Sequence, residues 1–379
     1  MLARQWQLEP AALRGYYLFE DDERGTSALL DKIASDPAFD AFTTHLGSAQ
    51  PERAQVARVD AGRRLTRPIF IIGAPRCGST VLFDLLAQAS GLWTQGGEGQ
   101  GAVDGVVELH PAARDYVSDR LSDADVTERV QACVHAGWHF GLRDRDGRHY
   151  DDLPEECRPA APRVLDKTTE HALRVAFLAR LCPDAQFILL HRDARQNVSS
   201  LMQAWRHGGF VRAHDLPQWP QHEWCFLLPP GWRALVGRSL QAVAAAQWDA
   251  ANHWALNDLE MLDASRWTSV DYNELIARPR QALERLCKFL DVKWDDRFAA
   301  LLSRPLPVSG TTISPPSAVK WRSNPELDVD ALQQVTRATS ARLRSLSSLR
   351  AVPVAAALTN RSAVPVASTV LFSCQLADV

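Results

Sequence analysis

Pro68-Ile69-Phe70-Ile71-Ile72-Gly73-Ala74-Pro75-Arg76-Cys77-Gly78-Ser79-Thr80 runs from an unbroken apolar stretch into a glycine-bounded turn. An apolar run this short, without alternation, is the pattern of a parallel strand buried on both faces. The apolar-periodic run Val81 to Ala89 comes next, so the segment reads strand, loop, helix. Gly73 and Gly78 bracket the loop at G-x-x-x-x-G spacing, and hydroxyl residues follow. Successive backbone N–H groups at such a helix start, added to the helix dipole, make a concave anion site, and glycine lets the backbone come close to a phosphate. The loop is expected to hold a phosphate. The lysine that reaches the β- and γ-phosphates in nucleoside triphosphate loops is absent, because Ser79 follows Gly78 directly. Arg76 is the loop's only cation. Its guanidinium suits a single 5'-phosphate carrying a transferable oxyanion better than a magnesium-bound triphosphate.

Further along, Arg163-Val164-Leu165 begins a second unit, with a helix-like stretch from Thr168 to Leu181 and another buried strand from Gln186 to Leu190. Trp267 to Tyr272 is a further strand candidate, and an amphipathic helix covers Pro279 to Leu290. This alternation predicts an α/β fold, a central parallel β-sheet flanked by helices with a P-loop-like nucleotide site. Residues 1–66 read as a polar helical extension, 67–325 as the main domain, 326–350 as a C-terminal helix and 351–379 as a loosely ordered Ala/Val/Pro/Ser-rich tail. Within the main domain, about 203–259 reads as a helical insertion carrying Trp205, Trp219, Trp224, Trp232, Trp248 and Trp254. Those tryptophans fit a subdomain packed on the sheet and also an aromatic wall over an apolar acceptor.

The chain has 379 residues, 46% of them hydrophobic, enough for a large core. A formal net charge of -3 gives no general attraction to nucleic acid or anionic membranes, so an anion site must be built from local basic residues. No run approaches the roughly 18 apolar residues of a membrane span, and the start of the chain lacks a basic region leading into an apolar one. A cytoplasmic location is the expectation. The seven cysteines show no CxxC spacing and read as free thiols. His135 and His139 lie at i, i+4 but lack the glutamate and third ligand of a zinc helix, so no metal is expected. His191-Arg192-Asp193 is similar to the kinase catalytic loop, but Asn197 comes one residue too early and no Asp-Phe-Gly occurs.

With these pieces in order, the chain resembles the PAPS-dependent sulfotransferase family, in particular its bacterial-type branch, over roughly residues 67–325 (PAPS is 3'-phosphoadenosine-5'-phosphosulfate). Pro75-Arg76-Cys77-Gly78-Ser79-Thr80 is similar to that family's 5'-phosphosulfate loop, usually P-R-S-G-T-T, with Cys77 replacing a strong donor by a weak one. Leu190 to Ser200 matches the family's strand ending in arginine with a serine eight residues on, which implies that Arg192 and Ser200 hold the donor's 3'-phosphate. Ser269-Val270-Asp271-Tyr272-Asn273-Glu274-Leu275 is similar to the V-x-Y-E-x-L segment, whose tyrosine lies near the adenine. Val319-Lys320-Trp321-Arg322-Ser323-Asn324 resembles the basic loop that closes over the 3'-phosphate and adenine.

The resemblance implies an in-line sulfonyl transfer to a hydroxyl acceptor, with 3',5'-bisphosphoadenosine released. Lys167, in Leu165-Asp166-Lys167-Thr168-Thr169, would follow a strand, open a helix and, with Arg76, stabilise charge on the leaving side. Fixed Lys and Arg charges then make a metal unnecessary. Glu98 stands where carboxylate-using relatives carry their base; His110, His135 and His139 are the alternatives. The tryptophans favour an apolar or aromatic acceptor, while oligomeric state is not readable. Two other readings stay open at this point: a family member that binds the nucleotide without transfer, and a phosphotransferase that uses ATP.

Overall fold

The computed structural model describes residues 65–97, 100–303, 306, 312–313 and 318–349. Glu98, residues 1–64 of the extension expected over 1–66, and the tail expected over 351–379 lie outside the described residues.

The apolar run at Ile69 becomes strand β1 (Ile69–Ile72), every residue of it buried. Helix α1 (Ser79–Leu86) follows directly. Then come β2 (Leu92–Trp93), α2 (Gln100–Asp104) and α3 (Glu128–His139), the last capped by Thr127, whose hydroxyl accepts the Val130 N–H. β3 (Arg163–Lys167) is longer than the sequence pattern suggested and ends on Lys167 itself. The expected helix from Thr168 is instead a 3-10 turn at Thr169–Leu173, and α4 (Val175–Leu181) starts only after a break at Arg174. The break has a cause: Arg174 is 0% exposed and turns into a buried ion cluster. β4 (Gln186–His191) is buried throughout.

α5 (Ala194–His207) is capped by Asp193, which accepts the N–H groups of Arg195 and Gln196. Through the tryptophan-rich stretch the chain forms an antiparallel pair, β5 (Val211–His214) and β6 (Glu223–Cys225), before α6 (Leu240–Leu259). β7 (Trp267–Asp271), α7 (Tyr272–Ala277), α8 (Pro279–Leu290), α9 (Asp296–Leu301) and α10 (Val329–Leu349) complete the described elements.

The main sheet has the order β2-β3-β1-β4-β7, and all its pairings are parallel. Alternate side chains of a strand face opposite sides, and here both sides are covered. Phe70, Ile72, Phe187 and Leu189 enter one apolar cluster with residues of α3, α4, α5, α6 and α10. Ile69, Ile71, Ile188 and Leu190 enter a second with α1, α8 and α9. The chain leaves β1 in the middle of the sheet, with β3 on one side and β4 on the other. That is a topological switch point, where parallel sheets open a crevice at the carboxyl ends of their strands.

Candidate active site

The loop after β1 is shaped by close approaches. A side chain at Gly73 would put its Cβ 2.5 Å from the Leu190 carbonyl oxygen, and one at Gly78 would sit 2.6 Å from the Tyr272 ring. Gly78 also has φ 105, left-handed backbone that suits glycine, and it caps α1 without a side chain. The first-turn N–H groups of α1, beginning at Ser79 and Thr80, thus receive no side-chain cap. Arg76 itself adopts φ 67. Cys77 lies 0% exposed in the apolar cluster beneath the loop; burial pushes its thiol up. It backs the loop from the core side.

Cations gather around this loop from three separate segments. Lys167, 2% exposed at the end of β3, donates from Nζ to Thr80 Oγ1 at 3.0 Å. Register places it level with Ile71, one residue short of the end of β1. Arg192, just past β4, donates from Nη1 to the Arg76 carbonyl at 3.2 Å and lies over the Tyr272 ring, 4.2 Å from its centroid. Lys320 sits on a 3-10 turn (Lys320–Ser323) and donates to Gln203 Oε1 at 2.8 Å. Burial, and then the like charges of Arg192 and Arg76, push the Lys320 ammonium down. A lysine depressed by like charges beside it marks a place that an anion would relieve.

The remaining residues expected at the site are distributed as follows. Trp321 takes the Arg195 guanidinium at 4.8 Å and that of Arg322 at 5.6 Å. Ser200 is half-buried on α5, and Asn324 ties the 3-10 turn to that helix by donating to Ser199 Oγ at 3.0 Å. Arg76 lies over the Phe210 ring at 5.0 Å, and Phe210 stacks on Phe226 at 5.0 Å. Asp193, the kinase-like aspartate, is a helix cap.

The three alternative bases fare differently. Nδ1 of His110 accepts the Ala112 N–H at 3.2 Å, so in the neutral ring the proton sits on the other nitrogen. Burial pushes this imidazole down, which keeps it neutral but leaves Nδ1 committed. His135 rests against Trp138, with its Nε2 3.8 Å from Cys182 Sγ, which precedes β4 and so lies at the opposite end of the sheet from the loop. His139 is 1% exposed and packs edge-on to Tyr150 beside β2. Among the described residues no cluster of three His, Cys, Asp or Glu side chains could hold a metal ion.

Sequence reasoning passed over a buried ion cluster that joins the segments around the site. Arg174 meets Asp104 at 2.7 Å, and Arg212 on β5 meets Asp104 at 2.7 Å and Asp119 at 2.5 Å. Glu170, 1% exposed on the turn after Lys167, completes it 3.9 Å from Arg212 and accepts the Thr168 hydroxyl. Burial pushes the Asp104 carboxyl up, but the Arg174 and Arg212 guanidiniums outweigh it and hold it at about 2. The available signal was Glu170 and Arg174 leading into the apolar run from Val175, residue types that are rarely buried unless paired. Trp224, Trp232 and Trp248 are at most 1% exposed, so these three belong to the core.

A family model described as "Sulfotransferase family" matches residues 68–296. The chain belongs to the sulfotransferase family. Among curated relatives, protein-tyrosine sulfotransferase A of Caenorhabditis elegans is 23% identical over 243 residues, covering 63% of this chain and 54% of that protein. The protein-tyrosine sulfotransferase of Drosophila melanogaster is 22% identical over 230 residues, 60% of this chain and 38% of its own. An uncharacterized Aquifex aeolicus protein is 25% identical over 268 residues, 70% of this chain and 31% of its own. The chain therefore spans roughly a third to a half of the length of those relatives. Solved structures similar to it include sulfotransferase STF9 from Mycobacterium avium, with 17% identity, TM-score 0.45 and coverage of 90% of this chain and 95% of that one. The sulfotransferase domain of the Synechococcus PCC 7002 olefin synthase has 22% identity, TM-score 0.41 and coverage of 74% and 96%. Among the described residues no helix is long and apolar enough to cross a membrane.

Proposed function

We propose that this sulfotransferase takes the sulfonyl group of PAPS and passes it in line to a hydroxyl acceptor, releasing 3',5'-bisphosphoadenosine. One observation carries the reading: a phosphate loop without the triphosphate lysine is flanked by Arg76, Arg192 and Lys320, near enough for both arginines to depress the lysine. A nucleotide with phosphates at both the 5' and 3' positions needs two such anion sites side by side.

The N–H groups of Gly78 and of the first-turn residues Ser79 and Thr80, with Arg76, would hold the 5'-phosphate, and Cys77 supports them from below. Arg192 and Ser200, closed over by Lys320 and Arg322, would hold the 3'-phosphate. Tyr272 and Trp321, each already carrying a guanidinium on its face, offer surfaces for the adenine. The donor supplies an activated sulfonyl group on its 5'-phosphate. Lys167 keeps its ammonium beside Thr80, where negative charge grows on the leaving phosphate. We assign removal of the acceptor proton to Glu98, since His110 is committed at Nδ1 and His135 lies at the far end of the sheet.

For the acceptor, the Phe210–Phe226 stack beside Arg76 supports an apolar or aromatic alcohol. An aromatic hydroxyl also agrees with the names of the two animal relatives. Calorimetric titration with 3',5'-bisphosphoadenosine, against ATP plus magnesium, tests the reading. Binding of the bisphosphate alone is expected; binding of Mg-ATP alone would mean that the loop serves a triphosphate.

A further inference from the structure

Asn197 is a residue that no step of the proposed reaction uses. It is 0% exposed on α5, little more than a helical turn past Arg192. Its Nδ2 donates to the Pro75 carbonyl oxygen at 2.7 Å, across to the phosphate loop. Its Oδ1 has no hydrogen-bond partner among the described residues. A buried acceptor left unsatisfied lowers stability, so general core stabilisation does not explain this side chain.

The loop's carbonyl groups supply the explanation. That of Ala74 accepts the Cys77 N–H at 3.1 Å, and that of Gly78 accepts the Leu82 N–H at 3.3 Å. The Arg76 carbonyl accepts from Arg192 and the Pro75 carbonyl from Asn197. An anion site works only when carbonyl dipoles are turned away and N–H groups turned in. Because the peptide unit is planar and trans, fixing the Pro75 carbonyl on α5 turns the N–H of Arg76 the opposite way. Arg76 then continues in left-handed backbone, a conformation that a non-glycine residue adopts only when its surroundings hold it there.

We propose that Asn197 is a positioning residue for the phosphate loop, its amide setting the Pro75–Arg76 peptide for a 5'-phosphate. Asn197 and Arg192 both reach the loop from the β4–α5 segment, each fixing one of its carbonyl groups. The inference rests on the nucleotide reading above.

The test compares the parent protein with Asn197→Leu, which keeps the branched shape without the amide, and Asn197→Ser, which relieves the packing. Affinities are measured by calorimetry for 3',5'-bisphosphoadenosine and, by competition against it, for adenosine 5'-monophosphate and adenosine 3'-monophosphate. The expected result is a loss of about tenfold or more for the two ligands with a 5'-phosphate, and unchanged binding of the 3'-monophosphate. Equal losses for 5'- and 3'-monophosphate would show a general structural role and overturn the inference, as would unchanged binding of all three. Failure of both variants to fold, read by thermal unfolding without ligand, would also assign Asn197 to stability and overturn it. A parent protein that binds none of the ligands would remove the nucleotide reading, and the inference with it.

Discussion

The ring of Tyr272 occupies the space a side chain on residue 78 would need, for a Cβ there would lie 2.6 Å from two of its carbons. The loop and the start of α7 are therefore built against each other. Gly78→Ala is expected to cost about 1–3 kcal/mol through left-handed backbone strain alone, before the clash is counted. Denaturant unfolding should show the loss, and calorimetry should show weakened bisphosphate binding. A variant as stable as the parent, with the same affinity, would mean that the ring moves aside at no cost.

Lys167 and Arg192 should divide their labour. Lys167 contacts Thr80 at the carboxyl end of β3, whereas Arg192 lies between Tyr272 and the Arg76 carbonyl. Lys167→Ala is expected to lower turnover by about 100-fold or more while bisphosphate affinity stays close to that of the parent. Arg192→Ala should instead weaken bisphosphate binding by about tenfold or more. Calorimetry and initial rates, once an acceptor is in hand, separate the two; equal effects on both parameters would undo the division.

Glu98→Gln is expected to abolish transfer with donor binding intact. His110→Gln should retain activity, because Nδ1 of His110 already accepts the Ala112 N–H. Rates measured side by side decide between them. A fully active Glu98→Gln paired with an inactive His110→Gln would move the base to the histidine.

The ion cluster makes a prediction about stability and acid. Arg212→Met leaves Asp104, Asp119 and Glu170 buried with Arg174 as their remaining guanidinium, and should destabilise the fold by about 3–5 kcal/mol. The Asp104 carboxyl is held at about 2, below its ordinary 3.8, so its contribution to stability is full above pH 3.8. As pH falls from there toward 2 the unfolded chain takes up the proton first, and that contribution is lost. Urea unfolding of the parent across pH 5 to 2 should show stability falling through this window. In Asp104→Asn the fall should be shallower, at lower stability throughout.

Much of the fold was legible because unbranching signals marked it: the apolar runs at Ile69 and Gln186 have no alternation, and only a strand covered on both faces tolerates that. The loop was legible because G-x-x-x-x-G before hydroxyl residues is a local pattern set by backbone geometry. β2 escaped notice because Leu92–Trp93 is too short to carry a period. The break at Arg174 was hidden for another reason. Its run of apolar neighbours has helical spacing, and only distant carboxylates, at Asp104 and Asp119, draw the guanidinium inward.

By itself, then, the sequence determined what depends on neighbours along the chain: the parallel strands, the glycine-bounded turn and the basic residues set beside it. The tertiary structure alone decided which of those residues meet. Lys167 reaches Thr80 because β3 pairs with β1, and Arg192 reaches the Arg76 carbonyl because β4 lies on the other side of the same strand. It also turned Cys77 into the core and closed Asn197 onto Pro75. Contacts between residues 87 to 122 positions apart follow from strand order and helix packing, and neither is written in any local stretch of the chain.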